Sequence, residues 1–389
     1  MISPEINVYG LASADTLYRE YGCRARELKQ QGAKIIGYLC AYVPQEIIAA
    51  AGFIPFRIIA NLNEPITEAD EHMETIVCPL VRNRFDQTLK GTYDFLDGLV
   101  IPHACDSICR TYDIWKDSLG LPFNHFINVP HGIDDSSLQF FTEVLNTFRI
   151  SLGEFAGKEI SDDVLNEAIR AYNLNRTKVN ELYTLRKSVP SPIYGSEVVK
   201  TLVAGMGIPI QESTSLLEDV INEVKQRQAV LPLKTARLMI VGAELTDVAL
   251  LELIEDVGAN VVADELCPGA RENLQLVEIH GDPIAGIAER YLRKINCPRT
   301  YLDESGSYDE YLEMKFGYLR RSIKDFHVDG VVIHVYRYCD PFGFDVPAMK
   351  SYLKKLNIPV LHLEDEYSLL TSARIRTKIQ AFLEMLDTK

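Results

Sequence analysis

Lys34-Ile35-Ile36-Gly37-Tyr38-Leu39-Cys40 is followed by Ala41-Tyr42-Val43 and then by Pro44-Gln45-Glu46-Ile47-Ile48-Ala49-Ala50-Ala51-Gly52. The first run is short and apolar, which predicts a buried strand ending at a cysteine. The third opens on proline and closes on glycine, the punctuation of a helix. Residues 53–59 then predict a second strand. The same sequence of elements returns later in the chain. Residues 237–242 predict a strand, 247–257 a helix closed by Gly258, and 259–263 another strand. Strands alternating with helices in both places predict an α/β chain with two doubly wound, mainly parallel sheets.

Further landmarks recur in matching order. Cys78-Pro79, Asp97-Gly98-Leu99-Val100-Ile101 and Cys105-Asp106 have counterparts in Cys297-Pro298, Asp329-Gly330-Val331-Val332-Ile333 and Cys339-Asp340. The intervals differ, so the pattern reads as an old duplication, or convergence on one layout, with loop insertions. Between the halves, Ser161-Asp162-Asp163 caps a helix running to about residue 187. A proline-containing connector occupies 188–195, and another helix is expected over 212–228. The domains predicted are 1–232, with a helical extension, and 233–389.

Composition narrows the function classes. At 389 residues the chain exceeds what one core serves, in keeping with two domains. Lys and Arg total 40 against 55 Asp and Glu, and the net charge of -15 opposes binding to nucleic acid or an anionic membrane. No apolar run approaches the roughly 20 residues of a spanning helix. The first residues lack the cationic and apolar blocks of a secretory signal, so a cytoplasmic location is expected.

Eight cysteines then stand out: Cys23, Cys40, Cys78, Cys105, Cys109, Cys267, Cys297 and Cys339. In a reducing compartment, disulfides are disfavoured and metal binding or catalysis gains weight. The bland alternative is a set of small buried hydrophobes. In doubly wound sheets, ligands collect beyond the carboxyl ends of the strands. Cys40, Cys105 and Cys339 follow apolar strand runs directly or closely, and Cys267 follows residues 261–266. Cys78 and Cys105 of one half, with Cys339 of the other, are candidates to converge on one iron–sulfur cluster in the cleft between the halves. Zinc is a weaker alternative. Cys105 and Cys109 stand four apart, and His103, His125, His131 and His334 lie near cysteine segments, but no second close pair completes a site. The phosphate loop GxxxxGK is absent, and Gly205-Met206-Gly207 lacks the third glycine of a dinucleotide fingerprint. The GxSxG elbow of hydrolases is also absent.

Four stretches together carry a family resemblance: Gly37-Tyr38-Leu39-Cys40-Ala41-Tyr42-Val43-Pro44-Gln45-Glu46, Cys78-Pro79-Leu80-Val81-Arg82, Asp97-Gly98 through Cys105-Asp106-Ser107, and Tyr338-Cys339-Asp340-Pro341 with Pro347 and Lys350. Over nearly its whole length the chain resembles the 2-hydroxyacyl-CoA dehydratase and benzoyl-CoA reductase family. The resemblance implies two flavodoxin-like domains with an iron–sulfur cluster in the interdomain cleft, held by Cys78, Cys105 and Cys339. It also implies anaerobic chemistry and a separate ATP-hydrolysing iron–sulfur activator as electron donor. One branch, the double-cubane cluster proteins, uses six thiolates, and by that likeness Cys40, Cys267 and Cys297 form a second trio.

The leading expectation is therefore the iron–sulfur component of a low-potential reductase system holding an 8Fe-9S double cubane and reducing a small substrate. A 4Fe-4S subunit of a 2-hydroxyacyl-CoA dehydratase or benzoyl-CoA reductase, acting on an acyl-CoA, is the alternative. A noncatalytic electron-transfer partner is the third. A homodimer, or a heterodimer with a homologous subunit, is expected. Glu46 is the candidate proton-handling group, against the alternative of an exposed carboxylate at a helix start. Cys23 and Cys109 read as structural. Arg374, Arg376 and Lys378 read as a solvated cationic face.

Overall fold

A computed structural model describes residues 10–227, 235–279, 281–302, 306–366 and 372–387. The chain is built on two parallel sheets of four strands each. The first contains β1 (Ile35–Tyr38), β2 (Ile54–Arg57), β3 (Gly98–Pro102) and β4 (Phe123–Ile127), in the order β2-β1-β3-β4. The second contains β5 (Ala236–Gly242), β6 (Ala259–Glu265), β7 (Gly330–Tyr336) and β8 (Val360–Asp365), in the order β6-β5-β7-β8. The two orders are the same when counted within each half, so the repeated landmarks describe one topology used twice. Each sheet reverses its winding between its first and third strands, and ligands of such folds gather there.

Helices α1 (Leu11–Arg19) and α2 (Cys23–Gln30) precede the first sheet, and α3 (Gln45–Ala50), α4 (Pro79–Leu89), α5 (Asp106–Leu119) and α6 (Asp135–Ala156) link or follow its strands. The connecting segment comprises α7 (Asp162–Arg186), α8 (Gly195–Gly205) and α9 (Ile210–Gln226). Around the second sheet lie α10 (Ala249–Asp256), α11 (Pro283–Arg293), α12 (Tyr308–Asp325), α13 (Asp340–Lys355) and α14 (Ser372–Asp387). Ser161 caps α7 as expected, its hydroxyl accepting from the Val164 N–H at 3.4 Å. Helix α8 was not foreseen, and the expected boundary near residue 232 lies outside the described residues. No helix among the described residues is long and apolar enough to cross a membrane.

The recurring Asp-Gly pair has a mechanical explanation. Asp97 accepts from the Ile35 N–H at 2.8 Å, and Asp329 accepts from the Arg237 N–H at 2.8 Å. Each aspartate thus clamps the start of its half's first strand to its third. The glycine that follows is forced by crowding: a Cβ on Gly98 would meet Ile36 and Phe123 at 2.9 Å, and one on Gly330 would meet Phe382 at 2.7 Å.

Alternation along β5 joins the two halves, because successive strand residues face opposite sides. Leu238 and Ile240 enter the core shared with the first half. Met239 and Val241 enter a second core with Leu202, Leu216 and Val220 of α8 and α9. Helices α8 and α9 share one face of the second sheet with α12 and α13, while α10 and α14 pack on the other, whose core is continuous with that of the first half.

Candidate cysteine centre at the interdomain seam

Three cysteines share one local design. Cys78, Cys105 and Cys339 are the residues at which α4, α5 and α13 begin. A helix start leaves backbone N–H groups unpaired and carries partial positive charge, which favours a thiolate. Accordingly the N–H groups of Leu80 and Val81 turn toward the Cys78 sulfur, those of Ser107 and Ile108 toward Cys105, and that of Phe342 toward Cys339. Burial nonetheless dominates, pushing all three thiols up, Cys105 to about 12. Cys105 and Cys339 follow the third strands β3 and β7 of their halves, at the sheet ends where the fold collects ligands.

Cys40, Cys267 and Cys297 come from less regular backbone. Cys40 lies just past β1 with φ of 66°, a left-handed conformation costing about 1–3 kcal/mol in a residue other than glycine. Tyr338, beside Cys339, has φ of 65°. Cys267 opens a five-residue π turn after β6. Cys297 lies beyond α11, its carbonyl accepting from the Thr300 N–H at 3.0 Å. It resembles Cys78 in preceding a proline but starts no helix, since α12 begins only at Tyr308.

The six form one electrostatic set. Burial first, and then the charges of Cys267 and Cys297, push the Cys40 thiol up. Cys105 feels Cys78 and Cys297, and Cys339 feels Cys78, Cys105 and Cys267. All six are free thiols. Cys23 is exposed, and the charges around Cys109 are Arg110, Asp106 and Asp113 rather than other cysteines.

Buried charge surrounds the set and was largely missed in the sequence. Arg57 of β2 is fully buried and binds two carboxylates of the second half, Glu244 at 2.8 Å and Glu272 at 2.7 Å. Arg84 of α4 pairs with the same Glu244. Burial opposes the Glu244 charge, but Arg57 and Arg84 outweigh it and hold that carboxyl below its ordinary range. A charged residue inside the apolar run 53–59 was the one visible signal. Arg271 donates to the Cys267 sulfur at 3.2 Å.

Glu46 is fully buried, which corrects the alternative of an exposed helix-start carboxylate. Its two oxygens accept from Arg176 at 2.6 Å and from the Tyr291 hydroxyl at 2.9 Å. Burial works against its charge, yet Arg176 and Arg290 prevail and depress its pKa.

Among the described residues no three His, Cys, Asp or Glu side chains are close enough to hold a single metal ion. One zinc ion would need sulfurs about 2.3 Å from a common point, whereas a cluster of several irons spreads its thiolates more widely. The histidines considered for zinc are otherwise engaged: His131 pairs with the Arg299 carbonyl at 2.9 Å, His103 with Asn128 at 3.3 Å, His125 packs on Phe148, and His334 packs on Tyr336 and lies 3.8 Å from Asp365. Six soft donors beside buried arginines suit an iron–sulfur cluster.

The family model described as 2-hydroxyglutaryl-CoA dehydratase, D-component, matches residues 40–386. The chain belongs to this dehydratase family. Among its curated relatives, one subunit of the benzoyl-CoA reductase of Thauera aromatica is 26% identical, over 90% of this chain and 91% of its own. The putative dehydratase subunit YjiM of Escherichia coli is 27% identical, over 92% and 93%. The beta subunit of (R)-2-hydroxyglutaryl-CoA dehydratase from Acidaminococcus fermentans is 23% identical, over 96% of each chain. As a member of the 2-hydroxyglutaryl-CoA dehydratase family, the chain is an enzyme component of the dehydratase or reductase kind. The resemblance first carried by the cysteine-bearing stretches is thereby borne out, as are the two parallel α/β sheets.

Proposed function

We propose that this chain is the iron–sulfur component of an ATP-driven, low-potential reductase system. In this reading it holds an 8Fe-9S double cubane through six cysteines and passes electrons from a separate ATP-hydrolysing activator to a small substrate. The observation that carries the reading is the six-thiol set: two trios, drawn from both halves, gathered in one seam while Cys23 and Cys109 stay outside it. When bound, such a cluster supplies one-electron chemistry at low potential.

The chain's own residues supply the rest. The starts of α4, α5 and α13 turn N–H groups toward Cys78, Cys105 and Cys339, named the outer trio, with Cys40, Cys267 and Cys297 as the inner trio. Arg57, Arg84 and Arg271 bring positive charge into a seam that would otherwise resist thiolates. Burial of Cys78 and Cys267 excludes water. Glu46 in this reading anchors α3 behind Cys40 through Arg176 and Tyr291 rather than moving a proton. Two cavities offer approach: one of about 430 Å³ lined by Tyr338, Cys339, Asp340 and Phe344, and one of about 250 Å³ lined by Cys297, Thr300 and Tyr318. The absent phosphate loop supports a division of labour with a separate ATPase. A cytoplasmic location and a homodimer belong to the same reading.

The relatives' names favour a second reading, one subunit of a dehydratase or reductase acting with a homologous subunit on an acyl-CoA; in it Cys78, Cys105 and Cys339 would hold a single 4Fe-4S cluster. Both alpha and beta subunits of the Acidaminococcus fermentans dehydratase match this chain. Anaerobic mixing of the loaded protein with a family activator, with and without ATP, tests the proposal. Reduction of the cluster followed by electron paramagnetic resonance should require ATP, and substrate should reoxidise it. Equal reduction without ATP would remove the proposal, and reoxidation by an acyl-CoA alone would favour the second reading.

A further inference from the structure

The two cysteine trios are supported by different means. Cys78, Cys105 and Cys339 each start a helix of at least 11 residues and face its backbone N–H groups. Cys40, Cys267 and Cys297 start no such helix. Cys40 has the Tyr42 N–H, and the conspicuous donor to the inner trio is the Arg271 guanidinium.

Arg271 is buried and spends its donors on the backbone that carries the inner trio. Nη1 donates to the Cys267 sulfur at 3.2 Å and to the Gly242 carbonyl at 3.0 Å. Nη2 donates at 2.7 Å to the carbonyl of Glu265, two residues before Cys267. Nε donates at 2.6 Å to the carbonyl of Asn296, the residue before Cys297. The guanidinium also lies 5.0 Å from the ring of Phe342, in the first turn of the helix that Cys339 starts. One side chain thus ties Cys267, the Cys297 loop and the Cys339 helix together. A planar fork with five N–H groups can do this, and an ammonium cannot.

We propose that Arg271 is the positioning residue of the inner trio, supplying to Cys267 and the Cys297 loop the N–H donors and positive charge that helix starts turn toward the outer trio. The proposal rests on the double-cubane reading. Hydrogen bonds to ligand sulfur and nearby positive charge favour the reduced state of a cluster. Arg271 should therefore raise the potential of the inner half and leave the outer half unchanged.

Anaerobic redox titration followed by electron paramagnetic resonance tests this on wild type, Arg271→Lys and Arg271→Gln, with iron measured on each. Cys297→Ser assigns the inner couple, as the one it removes. Arg271→Lys, which keeps the charge but not the fork, should hold its iron and shift the inner couple to more negative potential, with the outer couple in place. Arg271→Gln should shift it further, and loss of about half its iron with the outer couple unmoved would be the same effect in stronger form. An inner couple unmoved in Arg271→Lys and Arg271→Gln with iron intact would overturn the proposal, as would equal movement of both couples. Failure of the underlying reading looks different: wild type would hold about four irons and Cys297→Ser would remove none, so Arg271 would have no inner couple to act on.

Discussion

Replacing Arg57 by methionine isolates the energetics of the seam. The side chain is fully buried and reaches from β2 to Glu244, through Nε at 3.1 Å and Nη2 at 2.8 Å, and to Glu272 through Nη1 at 2.7 Å. Methionine fills much of the space but strands two buried carboxylates. Glu244 keeps Arg84, and Glu272 keeps Gln45 at 2.7 Å, so neither is left wholly alone. Removing one partner of a buried pair costs about 3–5 kcal/mol, or about two to three and a half powers of ten in the folding equilibrium. The cost should depend on pH with a definite sign. Burial already holds Glu272 above its ordinary value despite Arg57; loss of the arginine raises Glu272 further and lifts Glu244 from its depressed value. A raised carboxyl gives the folded state more bound protons, so its stability falls as pH rises through the new values. Anaerobic denaturant titrations should therefore show a larger penalty at about pH 8 than at about pH 5.5. Arg337→Met, which removes exposed pairs with Glu364 and Glu366, is the control and should cost less than about 1 kcal/mol. A penalty for Arg57→Met within about 0.5 kcal/mol of that control, or one independent of pH, would show that Arg57 does not hold the two carboxylates charged.

Other changes test separate parts of the account. Cys109→Ser and Cys23→Ser should leave cluster content and thermal stability close to wild type, whereas Cys267→Ser should lower iron per chain by about half; this is checked by metal analysis of anaerobically purified protein. Burial raises Glu255 to about 7 against the bonds it accepts from Ser196, so folded-state stability should decline as pH rises from about 4.3 toward that value. Glu255→Gln should flatten this slope in melting temperatures measured across that range. Ser161→Ala removes the cap of α7 and should cost about 1 kcal/mol in denaturant titration.

The sequence disclosed what is local. Glycine, proline and apolar runs marked the strand–helix–strand units, and the Asp97-Gly98 and Asp329-Gly330 pairs marked the third strands because clamp and crowding both act on adjacent residues. Helix α8 escaped notice because its first residue, Gly195, read as the end of a connector; Glu255, far along the chain, accepts from the Ser196 N–H at 2.9 Å. The burial of Glu46 was illegible for the same reason, since Arg176 lies 130 residues away. The proline after Cys297 promised a second Cys78, yet the helix that follows starts ten residues on. Arg271 carries no motif at all. Its importance comes from where the π turn after β6 points it, and only the folded chain shows that.

In the proposed reading six cysteines act as one ligand set. Iron and acid-labile sulfide, quantified per chain on protein purified without oxygen, test it most directly. About eight irons and about nine sulfides are expected, falling by about half in Cys297→Ser. About four irons in wild type, unchanged by Cys297→Ser, would contradict it and leave Cys78, Cys105 and Cys339 as the ligands of a single cubane.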